Sequence, residues 1–141
     1  NDLVAVPVGR HQIGDAALPH SYSYAPDVAA GLVTLALSAD KSAGEVWHLP
    51  VAPAESTAAV VDRFSRALGF GPGRTTHVPT LVLRAMGLFV PAAGELIEMR
   101  YQWEVPFVLD DAKFRAAFGG TATSLDDGVQ ATVAWLKARH A

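Results

Sequence analysis

The stretch His20–Leu32, HSYSYAPDVAAGL, joins a polar aromatic segment to the start of an unusually apolar helix. Pro26 pre-sets the φ angle of a first helical turn, and Asp27 adds the negative charge that helix N-termini favour. From Val28 to Ala39 the sequence VAAGLVTLALSA offers side-chain polarity at only two positions. A helix that is apolar nearly all round is normally buried. The stretch therefore predicts a strand-to-helix junction whose helix packs against other parts of the structure.

The composition limits the class of protein. With 141 residues, half of them hydrophobic and 18% charged, residues 1–141 fit a single folded unit and not a disordered chain. The net charge is −3 and the eleven Lys and Arg residues are scattered, so we expect no nucleic-acid partner. Cysteine is absent, which excludes a disulfide framework and a thiolate metal site.

The sequence also bears on location. No apolar run approaches the roughly 20 residues that cross a bilayer, so we expect no membrane partner. The N-terminal NDLVAVPVGR lacks the basic start of a signal peptide. We therefore expect a cytoplasmic protein. Because the first residue is not Met, we also expect a processed or truncated chain.

Periodicity and turn chemistry predict an α/β chain with few short strands and about five or six helices. The predicted strands or extended pieces are Leu3–Val8, Ser21–Ala25, Glu45–Val51, His77–Pro79 and Val105–Leu109. Six helices are predicted: Val28–Ala39, one from Ser56–Thr57 to Leu68, one capped by Thr80 that reaches Phe89 and stops at Pro91, Gly94–Tyr101, one capped by Asp110 that ends at Phe118, and one that follows the Ser124–Asp127 capping box.

The familiar catalytic and cofactor motifs are missing. Gly69-x-Gly71-x-Gly73 follows a predicted helix and contains a Pro, so it predicts a plain turn and not a phosphate loop. The five histidines lack zinc-ligand spacing, and no Ser stands in G-x-S-x-G. None of the three tyrosines is followed four positions later by Lys. We therefore assign no catalytic, cofactor-binding or metal-binding residue.

One polar and aromatic cluster is harder to dismiss. Glu95 and Glu98 precede Met99–Trp103, MRYQW, whose side chains could stack on a flat ligand and hydrogen-bond its edges. Aromatic clusters are more often part of a core. The sequence leaves both interpretations open.

Four stretches, taken in order, carry a family resemblance: PHSYSYAPDVAAGLVTLA, GEVWHLP, ELIEMRYQWEVPFVLDDAKFRAAFG and TSLDDGVQATVAWLK. Together they resemble the C-terminal part of an extended short-chain dehydrogenase/reductase, of the NAD-dependent epimerase/dehydratase type. The most specific pieces are Tyr24-x-x-Asp27-Val28-Ala29, the GEVWHLP segment, and Tyr101–Gly119. The resemblance covers nearly the whole chain and implies the C-terminal portion of a Rossmann-type fold.

The resemblance also implies a function. In that family the N-terminal half carries the Gly-rich NAD(P) loop and the catalytic Tyr-x-x-x-Lys, and this chain contains neither. The chain is then the substrate-binding part of an epimerase/dehydratase-like oxidoreductase, without catalysis of its own. NAD or NADP belongs to the intact protein, and we expect neither to bind this chain alone.

The resemblance places most of the expected substrate-binding residues. Tyr24 and Asp27 match the strand-to-helix junction beside the active site, and His20 and Tyr22 lie just before it. Arg100 and Tyr101 match the region where sugar-nucleotide members hold the substrate. Glu98, from the cluster described above, completes the set for a small-molecule substrate.

The apolar helix predicts a partner for the chain. Leaving Leu32, Val33, Leu35 and Leu37 half uncovered would forfeit several kcal/mol, because full burial of such a side chain is worth ~1.5–3 kcal/mol. We therefore expect either self-association or association with the N-terminal half of a longer protein. The alternative function is a non-catalytic binding or assembly module that reuses this lobe, with its apolar surface as the interface.

Overall fold

The computed structural model describes residues 11–139. It confirms a mixed α/β chain that is mostly helical, at 54%, with few short strands. The elements of this range are β1 (His11–Gln12), β2 (Pro19–His20), α1 (Ala25–Leu37), α2 (Ala39–Ser42), β3 (Glu55–Ser56), α3 (Thr57–Ala67), β4 (Thr76–His77), α4 (Thr80–Gly87), α5 (Pro91–Glu98), a 3-10 helix (Met99–Trp103), α6 (Ala112–Phe118) and α7 (Leu125–Arg139). The predicted strand Leu3–Val8 lies outside the described residues.

The short strands form two separate pairs. Strands β1 and β4 are parallel, with Gln12 opposite His77. Strands β2 and β3 are antiparallel, with His20 opposite Glu55, and His20 also forms an isolated parallel bridge with Phe107. Because β3 runs directly into α3, the second pair fixes the start of α3 beside β2.

Helix α1 begins as its sequence predicts, with Pro26 in the first turn and Asp27 close behind. Gly31 is its buried position, where an added β-carbon would lie 2.9 Å from Cδ2 of Leu49. Leu32, Val33 and Leu37 are 56%, 57% and 83% exposed. The chain's described residues therefore cover one side of this helix and leave an apolar face open, as the sequence predicts.

The core lies mainly between α3 and α7. Val60 of α3 and both Val129 and Val133 of α7 are buried. Both helices begin at the predicted serines: the hydroxyl oxygen of Ser56 accepts a hydrogen bond from Ala59 N at 3.2 Å, and that of Ser124 accepts one from Asp127 N at 3.1 Å. The structure therefore confirms the two helices that the sequence predicts after these serines.

The predicted strand Glu45–Val51 is wrong, because residues 45–51 form no strand in the described structure. A strand needs a ladder partner, and none of the described strands lies beside this segment. Side chains hold it instead. Trp47 packs on Phe114 and Phe118, with ring centroids 6.4 and 5.1 Å apart, and Val51 N donates to the Asp111 carboxylate at 3.1 Å.

Several other boundaries differ from the predictions. The strand expected at Ser21–Ala25 lies earlier, at β2. Pro79 and not Thr80 precedes α4, which ends at Gly87, and Pro91 opens α5 because its fixed φ suits a first helical turn. Asp111 and not Asp110 is the N-cap position of α6. Within residues 11–139 there are seven α-helices and not five or six, because the chain turns at Ser38 and forms the short α2.

Candidate functional site

His20 is the most buried of the predicted substrate-binding residues. It is 9% exposed, and strand β2 directs its ring toward two backbone carbonyls. Nδ1 is 3.1 Å from the oxygen of Leu18, and Nε2 is 3.1 Å from the oxygen of Gln102. Each ring nitrogen therefore lies within hydrogen-bond distance of a carbonyl oxygen, and the tautomer decides which nitrogen donates. Through this ring, β2 is tied to the 3-10 helix.

The residue after His20 continues the same junction. Ser21 N donates to the oxygen of Phe107 at 2.8 Å, and the Ser21 hydroxyl oxygen accepts from Leu109 N at 2.9 Å. The segment before α1 therefore lies along residues 107–109. The Tyr22 hydroxyl meets the Thr57 hydroxyl at 2.6 Å, so Tyr22 connects this segment to the first residue of α3.

Tyr24 and Asp27 make contacts with the C-terminal part of the chain. The Tyr24 ring lies against Gly128, where an added β-carbon would be 3.5 Å from Cδ2 of the ring. The Asp27 carboxylate accepts from the backbone N–H of Thr123 at 2.7 Å and from its hydroxyl at 2.8 Å. Both oxygens of this carboxylate thus hold the segment that leads into α7.

The other predicted site residues lie around the 3-10 helix. Glu98 is exposed at the end of α5, and Tyr101 is 64% exposed. The Arg100 guanidinium donates to the Thr80 hydroxyl and pairs with Glu104, whose carboxylate oxygen is 3.0 Å from Arg100 Nε. The structure therefore brings His20 beside the 3-10 helix, whereas Tyr24 and Asp27 face α7.

Sequence reasoning missed a cleft of about 560 Å³ next to this junction. Its lining includes Gln12, Asp15, Thr75, His77 and Glu104, none of which belongs to the predicted set. The sequence carries no local signal for it, because the cleft forms only when β1 pairs with β4 and the loop after β1 meets the 3-10 helix.

A second cleft, of about 490 Å³, lies between α3 and α7 and holds paired charges. Arg63 joins Glu55 at 2.6 Å and also contacts Asp126. Hydrogen bonds to these two carboxylates raise the pKa of the Arg63 guanidinium. A hydrogen bond from Arg66 lowers the pKa of Asp62 below its usual 3.8, although partial burial opposes the shift.

The glycines of residues 69–73 do not fit a dinucleotide phosphate. They follow α3 and open no helix, and Gly73 N already donates to the carboxylate of Asp62 at 3.0 Å. A pyrophosphate group at this loop would face that negative charge. In the described part of the chain, no three His, Asp or Glu side chains are grouped to hold a metal ion.

Comparison of the sequence with models of known protein families gives no match, and comparison with curated proteins gives none either. Among the helices of residues 11–139, none combines the length and the apolar character needed to cross a membrane.

Proposed function

We propose that this chain is the substrate-binding C-terminal part of an NAD(P)-dependent oxidoreductase, similar to the epimerase/dehydratase type of extended short-chain dehydrogenase/reductase. The observation that carries the proposal is the contact between His20 and Gln102. It joins the segment before α1 to the 3-10 helix, the two places where the family resemblance puts substrate-binding residues, although more than 80 residues separate them in sequence.

The residues of this junction have separable roles in the proposal. The polar groups of His20, Ser21 and Tyr22 are hydrogen-bonded within the chain. In the proposal, these residues hold the substrate-binding surface in place and do not themselves bind the substrate. Tyr101 and Glu98 are exposed and free to meet a ligand. Bound NAD or NADP would supply the hydride chemistry from the other half of the intact protein, and this chain's residues would bind and orient the substrate.

The open face of α1 supports the presence of a partner in the intact protein. Leu32, Val33 and Leu37 lie on one helix with more than half of each side chain exposed. Covering each would be worth roughly 1–2 kcal/mol, since full burial of such a side chain is worth ~1.5–3 kcal/mol. A cofactor-binding half packed on this face would recover that free energy.

The test uses the protein made from the whole reading frame that encodes residues 1–141, with the isolated chain as control. NADH and NADPH are titrated into each while nicotinamide fluorescence is followed. We expect the whole protein to bind one dinucleotide at micromolar concentration and the isolated chain to bind neither. Micromolar binding by the isolated chain, or a whole protein that binds no dinucleotide, contradicts the proposal.

The second candidate function is an assembly module without catalytic activity. The same exposed face of α1 favours it, because a patch of large apolar side chains is a typical protein interface. The two candidates differ in the encoding sequence. A Gly-rich strand–loop–helix and a Tyr-x-x-x-Lys before Asn1 support the oxidoreductase, whereas an unrelated domain supports the assembly module.

A further inference from the structure

Helix α4 is apolar on two opposite sides. Leu83 is its buried residue, at 5% exposed. Leu81, Val82 and Met86 lie on the opposite side at helical spacing, and they are 77%, 46% and 47% exposed. A helix that is apolar nearly all round is normally buried. One apolar side of α4 is therefore left open by the part of the chain that the structure describes.

The turn after α4 enlarges this open side. Phe89 N and Val90 N both donate to the oxygen of Met86, at 3.0 and 2.8 Å, so the chain keeps a helical course beyond the end of α4. Position 89 lies two turns after position 82 and therefore on the same side. Phe89 is 86% exposed and Leu88 is 81% exposed. Contiguous exposed apolar side chains of this kind are typical of an interaction surface.

Helices α4 and α5, with the turn between them, form a helical hairpin over residues 80–98. Each of the two helices has eight residues, and among the described helices and strands α4 packs chiefly on α5. Helices this short are marginal alone and depend on tertiary packing for stability. Packing of the hairpin on a further partner would supply the contacts that α4 lacks.

Two opposite charges on the hairpin indicate which partner fits. Arg84 of α4 and Glu95 of α5 are exposed, and neither forms an ion pair with another of residues 11–139. An interface with two-fold symmetry joins the same surface of two copies, so a positive group on it needs a negative group elsewhere on the same surface. The hairpin meets this requirement, because Arg84 stands on one helix and Glu95 on the other.

We propose that the α4–α5 hairpin binds the same hairpin of a second copy of this chain. Two helical hairpins packed face to face form a four-helix bundle, which buries one apolar side of each helix. Leu81, Met86 and Phe89 then lie in the interface, and Arg84 of each copy pairs with Glu95 of the other.

A lipid surface fits the hairpin less well than a second copy does. Glu95 and Glu98 of α5 outnumber Arg84 of α4, so the hairpin carries a net negative charge that anionic headgroups repel. The proposed surface shares no residue with the open face of α1. It also does not depend on the proposed function, because it requires neither the substrate nor a cofactor-binding half.

The length of the hairpin limits the affinity. Helices of eight residues are about 12 Å long, so this face is smaller than the ~800 Å² per partner of a standard interface. We therefore expect a dimer with a Kd of roughly 10–100 μM, and not a permanent one.

The first test measures dimer formation by sedimentation equilibrium across the micromolar range. It uses a chain with Leu32→Gln, Val33→Gln and Leu37→Gln, which removes association through α1. We expect a reversible equilibrium between monomer and dimer. A chain that is monomeric throughout this range would overturn the proposal.

Further substitutions in this chain locate the interface. Leu81→Gln with Met86→Gln should weaken the dimer about tenfold or more, because these side chains lie in the proposed interface. Val46→Gln is the matched control, since Val46 is 81% exposed but lies outside the hairpin, and it should change the Kd by less than about twofold. All three positions are exposed, so we expect folded chains with the circular dichroism of the parent. Equal weakening by Val46→Gln contradicts the proposal.

The second test leaves α1 unaltered and asks whether the partner is another copy. The Arg84→Glu chain has two negative groups at the proposed contact, and the Glu95→Arg chain has two positive groups. Each variant repels a copy of itself, whereas a mixed dimer regains both Arg–Glu pairs. Energy transfer between chains labelled at the N-terminal amine measures the association. We expect the mixture to associate about three- to tenfold more tightly than either variant alone.

A matched pair of variants excludes general attraction between chains of opposite charge. Asp40→Arg and Arg74→Glu make the same charge changes at exposed positions outside the hairpin. Their mixture should associate within about twofold of the separate chains. Equal preference in both mixtures, or no preference in the hairpin mixture, would overturn the proposal. Binding of the chain to phosphatidylcholine–phosphatidylserine vesicles, lost on Leu81→Gln with Met86→Gln and without any preference in the hairpin mixture, would instead assign the hairpin to a membrane.

Discussion

Gly14 lies directly against Trp103: a β-carbon added at Gly14 would be 2.6 Å from Cβ of Trp103, closer than real β-carbons approach. The φ angle of Gly14 is +82°, a conformation that residues with a β-carbon rarely adopt. Next to it, Asp15 N donates to the oxygen of Trp103 at 3.0 Å. The glycine therefore allows the loop after β1 to reach the 3-10 helix and to close one end of the cleft.

Substituting Gly14 separates this contact from backbone strain. Gly44 has a similar φ of +76° but open space where a β-carbon would stand. Gly44→Ala should therefore cost only the strain, about 1–2 kcal/mol. Gly14→Ala adds overpacking and should cost about 2–5 kcal/mol of the free energy of unfolding in total. Urea unfolding of both variants measures the difference, and equal costs would show that Trp103 does not restrict position 14.

The sequence predicted those parts of the fold that depend on neighbours in the chain. Ser56 and Ser124 begin their helices because a serine hydroxyl satisfies an N–H three residues later, a purely local effect. GEVWHLP was misjudged because a strand exists only beside another strand. The contact between His20 and Gln102 and the cleft at Gln12 also depend on distant pairings. The sequence could therefore name residues of the junction but could not place them together.

Substitution of Asp27 tests whether this residue, predicted to bind the substrate, contributes mainly to the stability of the fold. Asp27→Ala removes two hydrogen bonds to Thr123 that a charged carboxylate accepts. We expect a loss of about 2–4 kcal/mol, because such bonds are worth about 1.5–3 kcal/mol each and part is regained by hydration. Asp40→Ala changes an exposed Asp and should cost about 0.5 kcal/mol. Thermal or urea unfolding measures both, and similar costs would contradict a role for Asp27 in holding the segment before α7.

Acid should weaken the turn that follows α3. Asp62 accepts from Arg66 at 2.7 Å and from Gly73 N, and its pKa in the folded chain is below the usual 3.8. The unfolded chain therefore binds the proton first as the pH falls. The stabilisation by this carboxylate is fully present above pH 3.8 and is lost as the pH falls through the lower folded pKa.

The Asp62→Asn variant isolates this effect, because it removes the charge and keeps an oxygen for Gly73 N. At pH 7 the wild type should be more stable than the variant. The difference in free energy of unfolding should shrink as the pH is lowered below about 4. Urea titrations over a pH series measure it. A difference that stays constant with pH would mean that the charge of Asp62 is not responsible.

The exposed face of α1 should govern association and not folding. In one variant, Leu32, Val33 and Leu37 are all replaced by Gln. Gln is a good helix former, so the change removes exposed apolar surface without weakening the helix. We expect the free energy of unfolding to change by no more than about 0.5 kcal/mol per position. Binding of a hydrophobic dye and concentration-dependent self-association, measured by light scattering after size exclusion, should both decrease.

A core substitution on α7 provides the contrast for these α1 variants. Val133 is 2% exposed, so Val133→Ala should cost about 1–3 kcal/mol of stability, since it leaves a cavity in a packed interface. It should leave association of the folded chain unchanged, because it does not alter the surface of α1. If the triple Gln variant instead unfolds while Val133→Ala does not, the three α1 side chains contribute to the core and are not a solvent-facing surface. A wild-type chain that is monomeric at all concentrations and binds no dye would show that the apolar face of α1 is not an association surface.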